Sequence, residues 1–349
     1  MVRAILAPIR MLTRAAAIGT VTGTLAVLLL AGRVWGDLAL TREEYPVVDG
    51  STSAQPLGVL VAGRLTRTSV EWRATSHFDP TRLLTFTSGP YNASRRLSLA
   101  PPPPAPHGPD LGVALSYIGR LAERVRHTGT HQSYARLATR DAELVLTARE
   151  PTAAEREAVR RGGADVVVRP IARDAFVFLR HASNPVTGVT LDQVRDIYAG
   201  ALTSWRTLGG ADRPIVAYQR DATSGSQVEM EQLVMRGRPM REGPDIRVTM
   251  AMFGPFNAIR HDPAGIGYSY HYYERFMSVV PEVATLAIDG VPPEPATIAA
   301  GRYPLVTFVY VAHRSDLRVD GAAARLRDWL LTPAGQAVIA ESGYVPLRQ

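Results

Sequence analysis

The chain has 349 residues, a formal net charge of +7 and no cysteine. Its hydrophobic content of 46% and charged content of 20% are typical of a folded, mostly soluble protein with room for one large core or two lobes. The lack of cysteine excludes a disulfide framework, a thiolate nucleophile, a Cys-based zinc site and a lipid-modified cysteine. The basic residues are scattered and form no nucleic-acid-binding motif, so the sequence predicts no nucleic acid partner.

Residues 1–36 predict export from the cytoplasm. Three arginines precede an uncharged stretch at residues 15–32, which is rich in Ala, Val and Leu. Its eighteen residues lie at the boundary between a long signal-peptide core and a short membrane span of about 17–25 residues. No clear cleavage pattern of small residues follows. We interpret the segment as an N-terminal membrane anchor, with a signal peptide as the alternative, and both place the rest of the chain outside the cytoplasm.

Residues 37–110 have weaker patterns than the rest of the chain. Residues 37–44 are predicted to be a short polar linker. Short alternating runs at 58–70 and 82–99 are interpreted as strands, and the prolines that follow, at 101–109, predict an extended loop. The region 58–110 is therefore either an inserted hairpin or a strand followed by a long exposed loop.

From residue 111 onward, helical and strand patterns alternate. The predicted helices are 111–126, 152–161, 191–199, 325–331 and 333–342, and the predicted strands are 144–147, 164–168, 176–179, 214–218, 266–270, 283–288 and 305–311. Strands that alternate with helices predict an α/β fold with largely parallel sheets. In such sheets, ligands bind beyond the carboxyl ends of the strands.

One such strand end carries the pattern of an anion site. An apolar run ends at Tyr218, Arg220 follows, and Ser224-Gly225-Ser226 open a segment with helical periodicity. The first turn of a helix leaves backbone N–H groups unpaired, glycine allows close approach, and the hydroxyls and the guanidinium add donors. The alternative is an ordinary capped helix after a surface strand.

The sequence around this loop resembles that of the phosphate-binding proteins of bacterial ABC importers. Residues 195–210 read Arg-Asp-Ile-Tyr-Ala-Gly-Ala-Leu-Thr-Ser-Trp-Arg-Thr-Leu-Gly-Gly, like the block that precedes the Arg-x-x-x-Ser-Gly-Thr phosphate loop of that family. Further similar pieces are 49–53 with Pro56, 265–268, 303–305, 335–336 and 343–347. The resemblance covers residues 45–57 and 120–349, and it depends on the order and spacing of the pieces together.

The resemblance implies a two-lobed, periplasmic-binding-protein-like fold with a ligand cleft between the lobes, each lobe a largely parallel sheet flanked by helices. Lobe 1 would hold residues 45–172 and 273–349, including the unplaced insert at about 58–110. Lobe 2 would hold residues 173–272, with the chain crossing between lobes near 171–174 and 270–273.

The resemblance also implies a set of ligand-binding residues. They are Thr52 and Ser53 in a first loop, Thr130 in a third, and Arg220, Ser224, Gly225 and Ser226 in the phosphate loop, where Ser226 replaces threonine. At Thr130 the family's hydroxyl is kept but its glycines are missing, which makes close backbone approach doubtful. Arg149 stands where well-studied phosphate binders place an aspartate. It would attract a fully ionised anion or a larger acidic ligand, or instead pair with Glu150 or Glu143 on the surface.

The resemblance, together with the anion-site pattern, implies an extracytoplasmic solute-binding protein that captures an oxyanion, above all inorganic phosphate, for the permease of an ABC importer. We expect a monomer without a cofactor or metal. The alternative is a membrane-anchored ligand-sensing or structural surface protein with the same fold. An enzyme is not expected, because the chain has no His-Glu-x-x-His motif and no Gly-x-Ser-x-Gly elbow. His127 and His131 could bind a metal only if they shared a helix.

Overall fold

The computed structural model describes residues 38–74, 82–86, 121–242, 246–278 and 280–347. Met1–Leu38 and Ala39–Gln349 are separate compact units. The predicted anchor or signal peptide and the proline-rich loop lie outside the described residues. Within the described ranges, no helix has both the length and the apolar character needed to span a membrane.

The elements alternate in the way that the sequence predicts from residue 111 onward. In chain order they are β1 (Val48–Gly50), α1 (Gln55–Thr66), β2 (Val70–Ala74), β3 (Arg82–Phe86), α2 (Thr130–Ala138), β4 (Leu144–Thr147), α3 (Ala153–Arg161), β5 (Val166–His181), β6 (Gly188–Val189), α4 (Leu191–Ala199), β7 (Val216–Arg220), α5 (Gly225–Glu229), β8 (Ile246–Thr249), α6 (Gly254–Ile259), β9 (Gly265–Tyr270), β10 (Val283–Thr285), β11 (Ala287–Ile288), α7 (Pro295–Ala299), β12 (Val306–Arg314), α8 (Ala322–Trp329), α9 (Pro333–Ser342) and β13 (Val345–Pro346). Residues 121–124, at the end of the predicted helix 111–126, are helical as well.

One mixed sheet organises the protein. Its strand order is β1-β4-β12-β5-β9-β7-β8, and β10 and β13 also pair with β5. The pairs at both ends are parallel, β1 with β4 and β7 with β8 and β9, whereas the pairs around β5 are antiparallel. We call β1, β4 and β12 the first half-sheet, and β9, β7 and β8 the second half-sheet.

The sixteen-residue strand β5 joins the two half-sheets. It pairs with β12 along residues 166–175 and with β9 from Phe176 to Arg180. The sequence predicts two strands here, 164–168 and 176–179, but the backbone is continuous. The exposed Arg169-Pro170 interrupts the apolar pattern, and the register with β12 shifts near this proline, which cannot donate to a ladder.

The predicted strand at 58–70 is wrong for most of its length, because residues 55–66 form helix α1. This helix is buried nearly all round, from Gln55 to Gly63 and again at Leu65. A helix without a polar face shows no 3.6-residue periodicity, so its pattern is easily mistaken. The strand predicted within 82–99 is confirmed as β3, which pairs with β2 and receives the Gln55 side-chain amide at its Leu84 carbonyl, 2.5 Å away.

Two further predictions need adjustment. The predicted strand 283–288 is two short strands, β10 and β11, in different sheets, because the Leu286 N–H still donates to the Phe178 carbonyl of β5 whereas the Ala287 N–H donates to the Thr187 carbonyl beside β6, both at 2.9 Å. In the predicted linker 37–44, Leu40 is buried, and its N–H donates to the Leu65 carbonyl at 3.1 Å. This segment therefore packs on α1.

The strand directions determine where the segments that follow β1, β4 and β7 lie. β1 and β4 are parallel, so the turn that begins at Thr52 and the segment at Arg149 follow the same edge of the first half-sheet. β7 is parallel to β8 and β9 and ends at Arg220. The carboxyl ends of β1, β4 and β7 carry the residues that the sequence predicts to bind a ligand, except Thr130, which begins α2.

Candidate functional site

Arg220 is fixed at the end of β7 by carbonyls of the β8 segment. Its Nε donates to the Thr249 carbonyl and its Nη2 to the Met250 carbonyl, both at 3.1 Å. Its Nη1 lies 3.3 Å from the Ser226 hydroxyl. Burial lowers the pKa of the Arg220 guanidinium. The side chain is therefore held rigidly, with one edge directed at the start of α5.

The Ser224-Gly225-Ser226 turn presents unused donors. Ser224 begins α5 but its side chain makes no capping hydrogen bond; instead its hydroxyl lies 3.0 Å from that of Ser226. The backbone N–H groups of Gly225 and Ser226 have no acceptor within the described part of the chain. An ordinary capped helix would use the serine hydroxyl on its own first turn. Here both hydroxyls cluster beside Arg220.

A second donor turn follows β1. The Ser51 N–H donates to the Leu146 carbonyl of β4 at 2.9 Å, which fixes the turn that begins at Thr52. Ser53 is buried, its hydroxyl lies 3.3 Å from that of Ser51, and its carbonyl accepts the Tyr344 hydroxyl at 2.8 Å. Among the described residues, the N–H groups of Thr52 and Ser53 have no acceptor.

Thr130 begins α2 next to this turn, and Asp49 ties the two together. Asp49 accepts the Thr128 N–H at 2.9 Å on Oδ1 and the Thr128 hydroxyl at 2.8 Å on Oδ2. The intervening Gly129 donates its N–H to the Gly50 carbonyl at 3.1 Å, and its φ is +100°. Only glycine adopts this conformation readily. The family pattern has glycines after Thr130, whereas in this chain the glycine precedes it, and the run Thr128-Gly129-Thr130 is the sequence signal that the prediction missed.

Thr130 and Gly225 bring the first turns of α2 and α5 into contact. A Cβ built at position 225 would lie 2.5 Å from the Thr130 hydroxyl oxygen and 3.1 Å from its Cβ. The buried hydroxyl of Thr130 therefore faces the first residue of α5. Through this contact the donors of the Thr130 loop and of the Ser224–Ser226 turn share one region.

Arg149 lies in the same region, but its guanidinium forms an ion pair with Glu155. Its side chain is 2% exposed, and its Nη1 and Nη2 donate to the two carboxylate oxygens of Glu155 at 2.7 and 2.8 Å. Nη1 also donates to the Glu150 carbonyl at 2.8 Å, whereas the buried Nε has no hydrogen-bond partner among the described residues. Burial would raise the pKa of Glu155, but hydrogen bonds from Arg149 hold it below its ordinary value.

The partner of Arg149 differs from the two that the sequence suggests. Glu143 accepts the Val47 N–H at 2.9 Å, and the Glu150 carboxylate pairs with Arg156 at 2.7 Å. Glu155 instead belongs to the capping box of α3, together with Thr152. The helix-capping role of a Thr-x-x-Glu motif is readable from sequence, but the ion pair across the turn is not.

Comparison with known proteins identifies the family. A family model described as the PBP superfamily domain matches residues 120–334. The chain belongs to the PBP superfamily. It is 28% identical over 178 residues to the phosphate-binding protein PstS of Bacillus subtilis, covering 50% of this chain and 56% of that protein. It is 26% identical over 195 residues to PstS of Pseudomonas aeruginosa, covering 51% and 59%. The chain thus spans less than two thirds of these two relatives.

Solved structures share the fold of this PBP superfamily member. A Clostridium perfringens ABC-transporter substrate-binding protein with bound phosphate superposes with a TM-score of 0.59 at 18% identity, covering 86% of this chain and 98% of that one. A phosphate transport receptor from Vibrio cholerae gives a TM-score of 0.55 at 19% identity, covering 85% and 98%. The predicted two-lobed α/β fold and the predicted family resemblance are confirmed.

In this PBP superfamily chain, the described residues contain no group of three or more His, Asp or Glu side chains that could hold a metal. α2 begins at Thr130, so His127 precedes it and does not share a helix with His131. The His131 Nδ1 instead lies 3.1 Å from Glu155. The predicted ligand contacts of Thr52, Ser53, Thr130, Arg149, Arg220, Ser224, Gly225 and Ser226 remain predictions.

Proposed function

We propose that this chain is an extracytoplasmic solute-binding protein that captures inorganic phosphate or a closely related oxyanion for the permease of an ABC importer. The observation that carries the proposal is the approach of Gly225 to Thr130. It places the Ser224–Ser226 turn, in which the N–H groups of Gly225 and Ser226 have no acceptor among the described residues, against the Thr130 loop, which Asp49 of β1 holds through Thr128. The names of the PstS relatives support phosphate as the ligand.

The proposed mechanism is capture without chemistry. The anion would accept hydrogen bonds from the backbone N–H groups of Thr52, Ser53, Gly225 and Ser226, which have no acceptor in the described ranges. The Arg220 guanidinium would supply the main positive charge, because the charge of Arg149 is already balanced by Glu155. Charge-assisted hydrogen bonds strengthen where water is excluded.

The proposal also covers the export of the chain, its attachment to the membrane and the delivery of the anion. Residues 1–36 would export the chain and hold it at the membrane, and the monomer would release its anion to the importer. Tethering and transport can be separated from binding: a sensing or structural surface protein would bind the same anion but not crosslink to a permease.

Calorimetric titration of the full chain with phosphate, sulfate and phosphate esters tests the proposal. We expect saturable binding of one phosphate per chain. Ser226→Ala should weaken it by roughly tenfold, as expected for a lost hydrogen bond to a charged group of about 1.5 kcal/mol. Ser183→Ala, at an exposed serine whose hydroxyl lies 2.7 Å from the His181 Nδ1, is the matched control. A folded chain that gives no heat with any of these anions refutes the proposal.

A further inference from the structure

Tyr344 links the C-terminal part of the described chain to the turn at residues 51–54. The tyrosine is buried, and its hydroxyl donates to the Ser53 carbonyl at 2.8 Å. The Ser53 residue is buried as well. A tyrosine hydroxyl that is removed from water needs a hydrogen-bond partner, so this bond fixes the ring and the turn relative to each other.

The bond from Tyr344 completes the framework of this turn. The Ala54 N–H donates to the Ser51 carbonyl at 3.0 Å. The Ser53 carbonyl and the Ala54 N–H belong to one planar peptide group, so the tyrosine hydroxyl and the Ser51 carbonyl hold that plane from both sides. The N–H groups of Thr52 and Ser53 are the donors that remain without an acceptor among the described residues. Their direction therefore depends on the Tyr344 hydroxyl.

The ring of Tyr344 stacks on that of Tyr272, with the ring centroids 3.8 Å apart and the planes 11° from parallel. Tyr272 follows β9 of the second half-sheet, and its N–H donates to the Asp174 Oδ1 at 3.0 Å. Asp174 lies on β5, two residues before this strand begins to pair with β9. The stacked rings therefore connect the turn at residues 51–54 to the place where the two half-sheets meet.

The backbone on either side of Tyr344 keeps it in this position. The preceding Gly343 has a φ of +104°, and a Cβ there would lie 2.8 Å from the ring of Phe276. The Tyr272 hydroxyl donates to the Ser342 carbonyl at 2.8 Å. After Tyr344, strand β13 pairs with β5 at residues 172–173, next to Asp174. The tyrosine is thus fixed from both neighbouring segments and cannot shift independently of β5.

We infer that Tyr344 is a positioning residue of the anion site. It holds the N–H groups of Thr52 and Ser53 in the direction of the anion without touching the anion itself, and it does so from the place where the half-sheets meet. The inference rests on the proposed function, because it assigns to Tyr344 the alignment of donors that the anion would use.

Calorimetric titration of Tyr344→Phe with phosphate tests the inference. The variant keeps the stacked ring and removes only the hydroxyl. We expect the phosphate affinity to fall roughly three- to tenfold, as for one lost hydrogen bond. Tyr303→Phe is the matched control, because the buried Tyr303 hydroxyl donates to the Phe176 carbonyl at 3.1 Å, which lies in β5 and not in a donor turn. The control should lose thermal stability to a similar extent but keep the wild-type affinity.

Amide hydrogen exchange separates positioning from a general loss of stability. In the wild type, saturating phosphate should slow exchange at the N–H groups of Thr52 and Ser53 and at those of Gly225 and Ser226. In Tyr344→Phe, at phosphate concentrations that again saturate the site, the slowing should diminish at Thr52 and Ser53 and persist at Gly225 and Ser226. A purely structural role of the tyrosine would change both pairs alike, and that result would contradict the inference.

The outcomes distinguish this inference from the proposed function. If the folded wild-type chain binds no phosphate, both fail. If it binds phosphate and Tyr344→Phe keeps the wild-type affinity and the slowed exchange at Thr52 and Ser53, only the inference fails. Should Tyr344→Phe not fold, Tyr272→Phe decides, because it keeps the stacked ring and loses the bond to the Ser342 carbonyl. Wild-type affinity and wild-type exchange in that variant would overturn the inference.

Discussion

Gly225, the first residue of α5, lies against Thr130, the first residue of α2: a Cβ at position 225 would lie 2.5 Å from the Thr130 hydroxyl oxygen. No carbon atom approaches an oxygen that closely without a shift of one of them. The glycine therefore sets the distance between the first turn of α5 and the first turn of α2.

Gly225→Ala should weaken phosphate binding without unfolding the chain. Overpacking of this kind costs about 1–3 kcal/mol, which corresponds to a loss of affinity of roughly five- to 150-fold when the cost falls on the bound state. Calorimetry measures it. Gly58→Ala in α1 is the control, because its nearest atoms would be at an ordinary 3.8 Å. Wild-type affinity in Gly225→Ala would contradict the proposed closeness of the two turns.

The buried pair of Arg149 and Glu155 should act on stability. Glu155→Gln leaves the Arg149 charge uncompensated, and we expect a loss of about 3–5 kcal/mol in the free energy of unfolding. The double variant Arg149→Met, Glu155→Leu removes both charges and should recover most of the lost unfolding free energy. Denaturant unfolding measures the stability, and titration of the same variants measures the affinity. A double variant that is stable but no longer binds phosphate would show that Arg149 contacts the ligand.

Asp174 should make stability depend on pH. It is 2% exposed, its Oδ1 accepts the N–H groups of Ala175 and Tyr272 at 2.8 and 3.0 Å, and its Oδ2 has no hydrogen-bond partner in the part of the chain that the structure describes. Burial raises its pKa from 3.8 to about 7. The folded state then holds the proton more tightly than the unfolded state, so this contribution favours folding below about pH 4 and is lost as pH rises to about 7.

Unfolding free energies at pH 5 and pH 8 measure this effect. Burial also shifts the pKa values of Glu229 and His271, to about 7 and about 4. The informative quantity is therefore the unfolding free energy of the wild type minus that of Asp174→Asn. This difference should change by up to a few kcal/mol between the two pH values, at about 1.4 kcal/mol per pKa unit. Asp212→Asn, an exposed partner of Arg206, is the control. A pH-independent difference would contradict the raised pKa.

Elements with strong terminal signals were predictable from sequence. The predicted helix 191–199 matches α4, because Thr190 and Gln193 form a capping box and Gly200 adopts a φ of +80° at its end. The predicted helix 333–342 matches α9 for similar reasons, with Thr332 as its cap and Gly343 beyond it. Local hydrogen bonds fix these boundaries, so the local sequence contains them.

Features that depend on long-range packing were not predictable. α1 packs against β1, β3 and α9, so it is buried nearly all round and its sequence has no polar face. The partner of Arg149 is Glu155, six residues away across a turn, and nothing in the local pattern prefers it to Glu150. The Arg220 and Ser224–Ser226 cluster was predictable as a unit, but its contact with Thr130 joins residues far apart in sequence, and only the fold brings them together.

A crystal structure with arsenate tests the central claim most directly, because arsenic marks the anion by its anomalous scattering and arsenate has the shape and protonation of phosphate. We predict one strong peak whose oxygens lie about 2.7–3.2 Å from the Gly225 and Ser226 N–H groups, the Thr130 hydroxyl and the Arg220 guanidinium. A peak elsewhere, or no peak at an arsenate concentration that saturates the protein in solution, would contradict the account.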